Sequence, residues 1–133
     1  MVILTSNLDS TAGTRILLVD NEADNTLVLS MCLEDEGYKV DKFNDPTFAL
    51  SNFRPNYYSL VILDINMPQM NGYDLYKEIR KLDKNVKACF MTASELYNTL
   101  KIPPDEILCH TKCFISKPID LDELVKEIKN VLG

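Results

Sequence analysis

The sequence predicts a doubly wound α/β domain, a mostly parallel five-stranded sheet with helices on both faces. Three observations predict it: five short apolar runs, helical periodicity in the segments between them, and cap or turn residues at the junctions. At 133 residues the chain is the size of one domain, and it buries about two-thirds of its unfolded surface, enough for a core without staples.

The strand segments are RILLV (15–19), YKVDKF (38–43), SLVIL (59–63), VKACFM (86–91) and KCFIS (112–116). Three of them lack polar alternation, as strands covered on both faces do. The first helical segment, about 24–36, stops at Gly37, a natural residue to follow a helix end. The second opens at Asp45-Pro46, a cap followed by proline in the first turn. In the third, Tyr73, Leu75, Tyr76, Ile79 and Leu82 form an apolar side after the turn formers Asn71 and Gly72. Pro103 and Pro104 bar a long fourth helix, so a short one is expected over about 104–110, with a loop before it. In the last, Leu121, Leu124, Val125, Ile128, Val131 and Leu132 recur at helical spacing behind the cap residue Asp120. Strands joined by single helices require right-handed crossovers, which make neighbouring strands parallel.

Charge and composition narrow the function. The chain has 14 basic and 20 acidic residues, a net charge of −6, and no basic run, which argues against direct nucleic-acid binding. No apolar stretch reaches the roughly 18 residues of a membrane span. The first 14 residues read as a loose extension without the pattern of a secretory signal. A cytoplasmic location is expected, and Cys32, Cys89, Cys109 and Cys113 are accordingly read as reduced thiols. Cys109-His110-x-x-Cys113 offers three zinc-type ligands with no evident fourth, so core or surface thiols are the plainer reading.

In open α/β sheets the ligand site lies beyond the carboxyl ends of the strands. Strand one runs into Asp20, strand three into Asp64, strand four into Thr92 and strand five into Lys117, whereas strand two ends in Phe43-Asn44 and is expected at the edge. Each residue alone has an ordinary reading: a carboxylate capping the next helix, a turn threonine, a solvated lysine. Together on one rim they make a metal-assisted phosphoryl site. Mg²⁺ takes one or two carboxylates, waters and phosphate oxygens, and two carboxylates placed together without a cation would repel. Asp64 would then attack in line while the cation and Lys117 stabilise charge on the equatorial oxygens, giving an aspartyl phosphate.

The segments ILLVDNE (16–22), LVILDINMPQMNGYDL (60–75), MTAS (91–94) and ISKPI (115–119), in this order and spacing, resemble the receiver domain of response regulators in two-component signalling. The similarity covers about residues 15–132, so that 1–14 are read as an extension and 15–133 as the receiver domain. The resemblance implies a flavodoxin-like strand order 2-1-3-4-5 with five helices and a cis peptide before Pro118. It implies Asp64 as phosphoacceptor, Asp20, Asn21, Asp64 and Asn66 around Mg²⁺ (Asn66 through its main-chain oxygen), Thr92 as the switch hydroxyl and Lys117 as the phosphate-pairing ammonium. It also implies a sensor histidine kinase or histidine phosphotransfer protein as donor, an effector protein bound in trans, and no enzymatic activity beyond the domain's own phosphorylation and dephosphorylation.

This sequence departs from the family pattern at three places. The second acidic residue, usually directly after the first, is Asn21, which predicts weaker Mg²⁺ binding unless Glu22 swings in. The aromatic switch position is Phe114, which has no hydroxyl to donate. The stretch between Thr92 and Lys117 is a few residues longer than usual and carries CHTKC. Asn21 keeps open a phosphorylation-silent receiver that binds partners constitutively. A dehalogenase-like phosphatase would need a second acid two residues after the nucleophile, where this chain has Asn66. A flavodoxin would need uncharged phosphate-cradling groups where this chain has Asp20-Asn21-Glu22-Ala23-Asp24.

Overall fold

The structure is a computed structural model that describes residues 13–92 and 113–133. Most of the expected extension, the expected short helix at 104–110, Cys109 and His110 lie outside the described residues. In chain order the elements are β1 (Arg15–Val19), α1 (Ala23–Asp35), β2 (Lys39–Phe43), α2 (Pro46–Ser51), β3 (Leu60–Asp64), α3 (Gly72–Leu82), β4 (Lys87–Thr92), β5 (Cys113–Ser116) and α4 (Leu121–Leu132). All strand pairs are parallel, in the order β2-β1-β3-β4-β5. Fold class and strand order match the expectation, with four helices among the described residues.

Strand alternation divides the core into two layers, because successive side chains leave a strand on opposite faces. Leu17, Val19, Val61, Leu63, Ala88 and Phe90 pack with Ala49 of α2 and Leu75, Tyr76 and Ile79 of α3. Ile16, Leu18, Leu60, Ile62, Cys89, Met91 and Ile115 pack with Leu29 and Leu33 of α1 and Leu124 and Ile128 of α4. Every residue of β3 is buried, which explains its unbroken apolar run. The edge strand β2 instead exposes Lys39 and Lys42, charges that discourage pairing with another chain.

The sequence-read caps are realised. The Asp45 carboxylate accepts from the Thr47 and Phe48 amides, and that of Asp120 from those of Asp122 and Glu123. Asn71 accepts from Asp74 N–H and so opens α3. Gly37 has a φ of 99°, the left-handed turn that ends α1. The Lys117–Pro118 peptide is cis, as the resemblance implied. No helix among the described residues is long and apolar enough to cross a membrane.

One expectation is corrected. Cys89 and Cys113 are not the reduced thiols that the sequence leads one to expect: they form a disulfide. The parallel register sets them directly opposite each other on β4 and β5, with Cα atoms 4.6 Å apart, within disulfide range. The strand order pairs β4 with β5, but the register that sets these two residues opposite each other is a tertiary fact that residue types do not disclose. Cys113 therefore has no thiolate to offer zinc, and the Cys109/His110/Cys113 ligand set loses a member. Cys32 on α1 is a free thiol, its pKa raised by burial and by the nearby Glu36 and Asp35 carboxylates.

Candidate functional site

The site forms where β1, β3, β4 and β5 end. Asp20 leaves β1 fully buried, its N–H donating to the Phe43 carbonyl at 3.2 Å. Its own carbonyl accepts from Asn44 Nδ2 at 2.8 Å, and that nitrogen also donates to the Thr26 hydroxyl at 3.0 Å. The end of the edge strand thereby fixes the loop between β1 and α1. The Asp20 side chain is held on both oxygens: Oδ1 accepts from Glu22 N–H at 2.9 Å, and Oδ2 from Lys117 Nζ at 3.2 Å and Asn25 Nδ2 at 3.3 Å.

Asp64 is the last residue of β3 and is 2 % exposed. Its Oδ1 accepts from Asn66 N–H at 3.1 Å and its Oδ2 from Lys117 Nζ at 3.0 Å. Gly72, the first residue of α3, presses on the same place: a Cβ there would collide with the Asp64 carbonyl oxygen and come within 2.9 Å of its carbon. The Gly72 N–H meanwhile donates to the Ile65 carbonyl at 3.0 Å. By residue type Gly72 marks a turn, whereas in the fold its role is this close approach of backbone to backbone.

Lys117 enters just past β5, and its main-chain N–H donates to the Thr92 carbonyl at 3.0 Å, tying the lysine to the residue that ends β4. One ammonium thus bridges two buried carboxylates. Burial first, then the charge of Asp20, lifts the Asp64 carboxyl from 3.8 to about 6, although Lys117 opposes the shift. For Lys117, burial pulls the pKa down, but Asp64 and Asp20 outweigh it and hold the ammonium above its ordinary value.

The expected residues distribute as follows. Asp20, Asp64 and Lys117 converge, Asn66 reaches Asp64 through its main-chain N–H, and Thr92 is linked through its carbonyl to Lys117. Asn21 is exposed beside Asp20. Phe114 is half-buried, its ring centroid 6.0 Å from that of Phe90 in the layer under α3. Asn25, Asn44 and the steric role of Gly72 were not found from sequence. Asn44 and Gly72 act by touching main-chain atoms remote in sequence, which residue types do not disclose, whereas Asn25 reaches carboxylates five and three residues before it.

Residues 16–129 match the response regulator receiver domain family. The chain belongs to this family. It is 31 % identical over 118 residues to the response regulator receiver protein CpdR of Brucella abortus, covering 96 % of that protein and 89 % of this chain. To the CpxR homologue of Haemophilus influenzae, a transcriptional regulatory protein, it is 35 % identical, spanning 89 % of this chain but 50 % of that protein. The fold superimposes on the non-phosphorylated HemR receiver domain from Leptospira biflexa with a TM-score of 0.77 at 31 % identity, covering 90 % of this chain and 94 % of the other. It also matches the response regulator TrrA, solved in complex with the histidine kinase ThkA, at TM-score 0.73 and 33 % identity, with 90 % and 99 % covered. A third match, at TM-score 0.78 and 26 % identity, is a CheX–CheY–BeF3–Mg complex from Borrelia burgdorferi, with 94 % and 93 % covered. Receiver domains are signalling modules of two-component systems rather than metabolic enzymes.

The donor set of this receiver suits a hard divalent cation. Asp20 and Asp64 offer carboxylate oxygens to one point, now marked by the Lys117 ammonium. Mg²⁺ keeps several waters and takes one or two carboxylates, so two carboxylate oxygens at one point suit it.

Proposed function

We propose that this receiver accepts a phosphoryl group on Asp64 from a phosphohistidine, with Mg²⁺, and passes the signal to an effector protein. The observation that carries the reading is the shared ammonium: Lys117 Nζ is 3.0 Å from Asp64 and 3.2 Å from Asp20, on the carboxyl-terminal rim of the sheet. In the transfer the histidine N–P bond breaks, an Asp64 Oδ–P bond forms, and the neutral imidazole leaves. Asp20, Asn21, Asp64 and the Asn66 carbonyl would hold the cation, which supplies positive charge to the oxygens of the moving phosphoryl group. Lys117 would then turn from Asp20 toward a phosphoryl oxygen, since the cation takes over its neutralising role. Thr92, which ends β4 and is bound through its carbonyl to Lys117, would bring its hydroxyl to the same group. Phe114, packed on Phe90, is the adjacent aromatic whose position would follow.

The donor would be a sensor histidine kinase or a histidine phosphotransfer protein, in keeping with the kinase complex of TrrA. A groove of about 700 Å³ lined by Asp24, Asn25, Val28, Leu29, Ile119 and Leu121 lies beside Lys117. A cytoplasmic location would accompany such a donor. Intact-mass measurement with acetyl phosphate and Mg²⁺ tests the reading. The expected result is one acid-labile phosphoryl adduct on the wild type and none on Asp64→Asn. Absence of an adduct on the wild type would instead favour the phosphorylation-silent receiver that Asn21 suggests.

A further inference from the structure

Glu22 occupies the N-cap position of α1, yet its side chain makes no cap hydrogen bond. It turns to the site instead: Oε1 lies 3.3 Å from Asn25 Nδ2 and 3.8 Å from Lys117 Nζ. The same Asn25 nitrogen lies 3.3 Å from Asp20 Oδ2, so one amide group spans both carboxylates. Around the Lys117 ammonium there are accordingly three carboxylates, Asp64 at 3.0 Å, Asp20 at 3.2 Å and Glu22 at 3.8 Å.

Charge and mobility single out Glu22 among them. Three ionised carboxylates facing one ammonium leave two negative charges in excess, the complement of a divalent cation, whereas Asp20 and Asp64 alone leave one. The neighbouring Asn21 is neutral and adds nothing to that balance. The side chains of Asp20 and Asp64 are 0 % and 3 % exposed and pinned by hydrogen bonds, while that of Glu22 is 64 % exposed. Its carboxylate can therefore swing toward the rim with little further loss of hydration. We propose that Glu22 provides the cation, directly or through a bound water, with the carboxylate that Asn21 lacks, and that Asn25 holds Glu22 beside Asp20 until the cation arrives. This rests on the reading that Mg²⁺ binds between Asp20 and Asp64.

Calorimetric titration of Mg²⁺ into the intact chain at fixed ionic strength tests it, comparing wild type, Glu22→Gln, Asp24→Asn and Asn21→Asp/Glu22→Gln. Asp24→Asn is the control, an exposed acid two residues on whose loss changes net charge equally. The expected result is an affinity about tenfold weaker for Glu22→Gln, against less than about twofold for Asp24→Asn, with the double variant restored to wild-type affinity. Equal losses in Glu22→Gln and Asp24→Asn would overturn the proposal while leaving the cation site standing. A wild type that binds no Mg²⁺ would overturn the cation reading itself and this inference with it. Thermal midpoints without Mg²⁺ establish that every variant is folded.

Discussion

Lys117 and Asp64, 53 positions apart in sequence, meet in a 3.0 Å ion pair that also draws in Asp20. The pair is the electrostatic centre of the rim, because each partner is mostly buried and each shifts the other's ionisation. Replacing Lys117 by methionine keeps most of the stem but removes the ammonium. Phosphorylation of Asp64 by acetyl phosphate, followed by intact mass against time, is expected to slow about 10²-fold, the usual effect of deleting one preorganised charge stabiliser. An unchanged rate would show that Lys117 contributes nothing to the transfer.

The raised Asp64 carboxyl gives a signed pH dependence. With its pKa near about 6 in the metal-free fold against an ordinary 3.8, the folded protein retains a proton that the unfolded chain has already released in between. Its contribution to metal-free stability is fully present below the ordinary value and is lost as pH rises through about 6. Mg²⁺ needs the ionised carboxylate and competes with that proton. The rise in thermal midpoint on adding Mg²⁺ is thus expected to be small near about pH 5 and full above about pH 7, which scanning calorimetry can measure. A Mg²⁺ increment that is flat across this range would contradict the assignment.

Gly72 bears on Asp64 through sterics alone. In Gly72→Ala the new methyl meets the Asp64 carbonyl, and backbone on both sides leaves no flexible side chain to yield. A loss of about 1–3 kcal/mol is expected in urea unfolding, with slower acetyl phosphate labelling because the end of β3 must shift. A fully stable, fully active Gly72→Ala variant would refute this contact.

The disulfide between Cys89 and Cys113 closes a loop with a sequence separation of 24. The chain-entropy argument assigns such a loop about 3.5 kcal/mol. Urea unfolding is expected to shift to lower midpoint with a phosphine reductant, and thiol titration of the denatured protein to rise by two on reduction. No rise would mean that the two sulfurs are not bonded.

Much of the fold was legible in the residues. The apolar run LVIL marked the buried third strand, and Asp45, Asp120 and Gly37 marked helix ends through local hydrogen bonding and backbone preference. The candidate site was legible for a related reason. A strand's last residue must lie on the carboxyl rim wherever that strand sits in a parallel sheet, so Asp20, Asp64, Thr92 and Lys117 could be placed together before any contact was known.

What local chemistry could not fix was anything that depends on which atoms face each other across the fold. The register of β4 against β5 decided that Cys89 and Cys113 are bonded. The approach of α3 to β3 decided that residue 72 tolerates no side chain. The turn into α1 decided that Glu22 faces the ammonium while Asn21 is exposed. The sequence by itself determined the alternation of elements, their ends and the set of residues on the rim, because these follow from periodicity and backbone preference within a few residues. Tertiary structure alone decided the partners, because distances between atoms remote in sequence are set by how whole strands and helices pack.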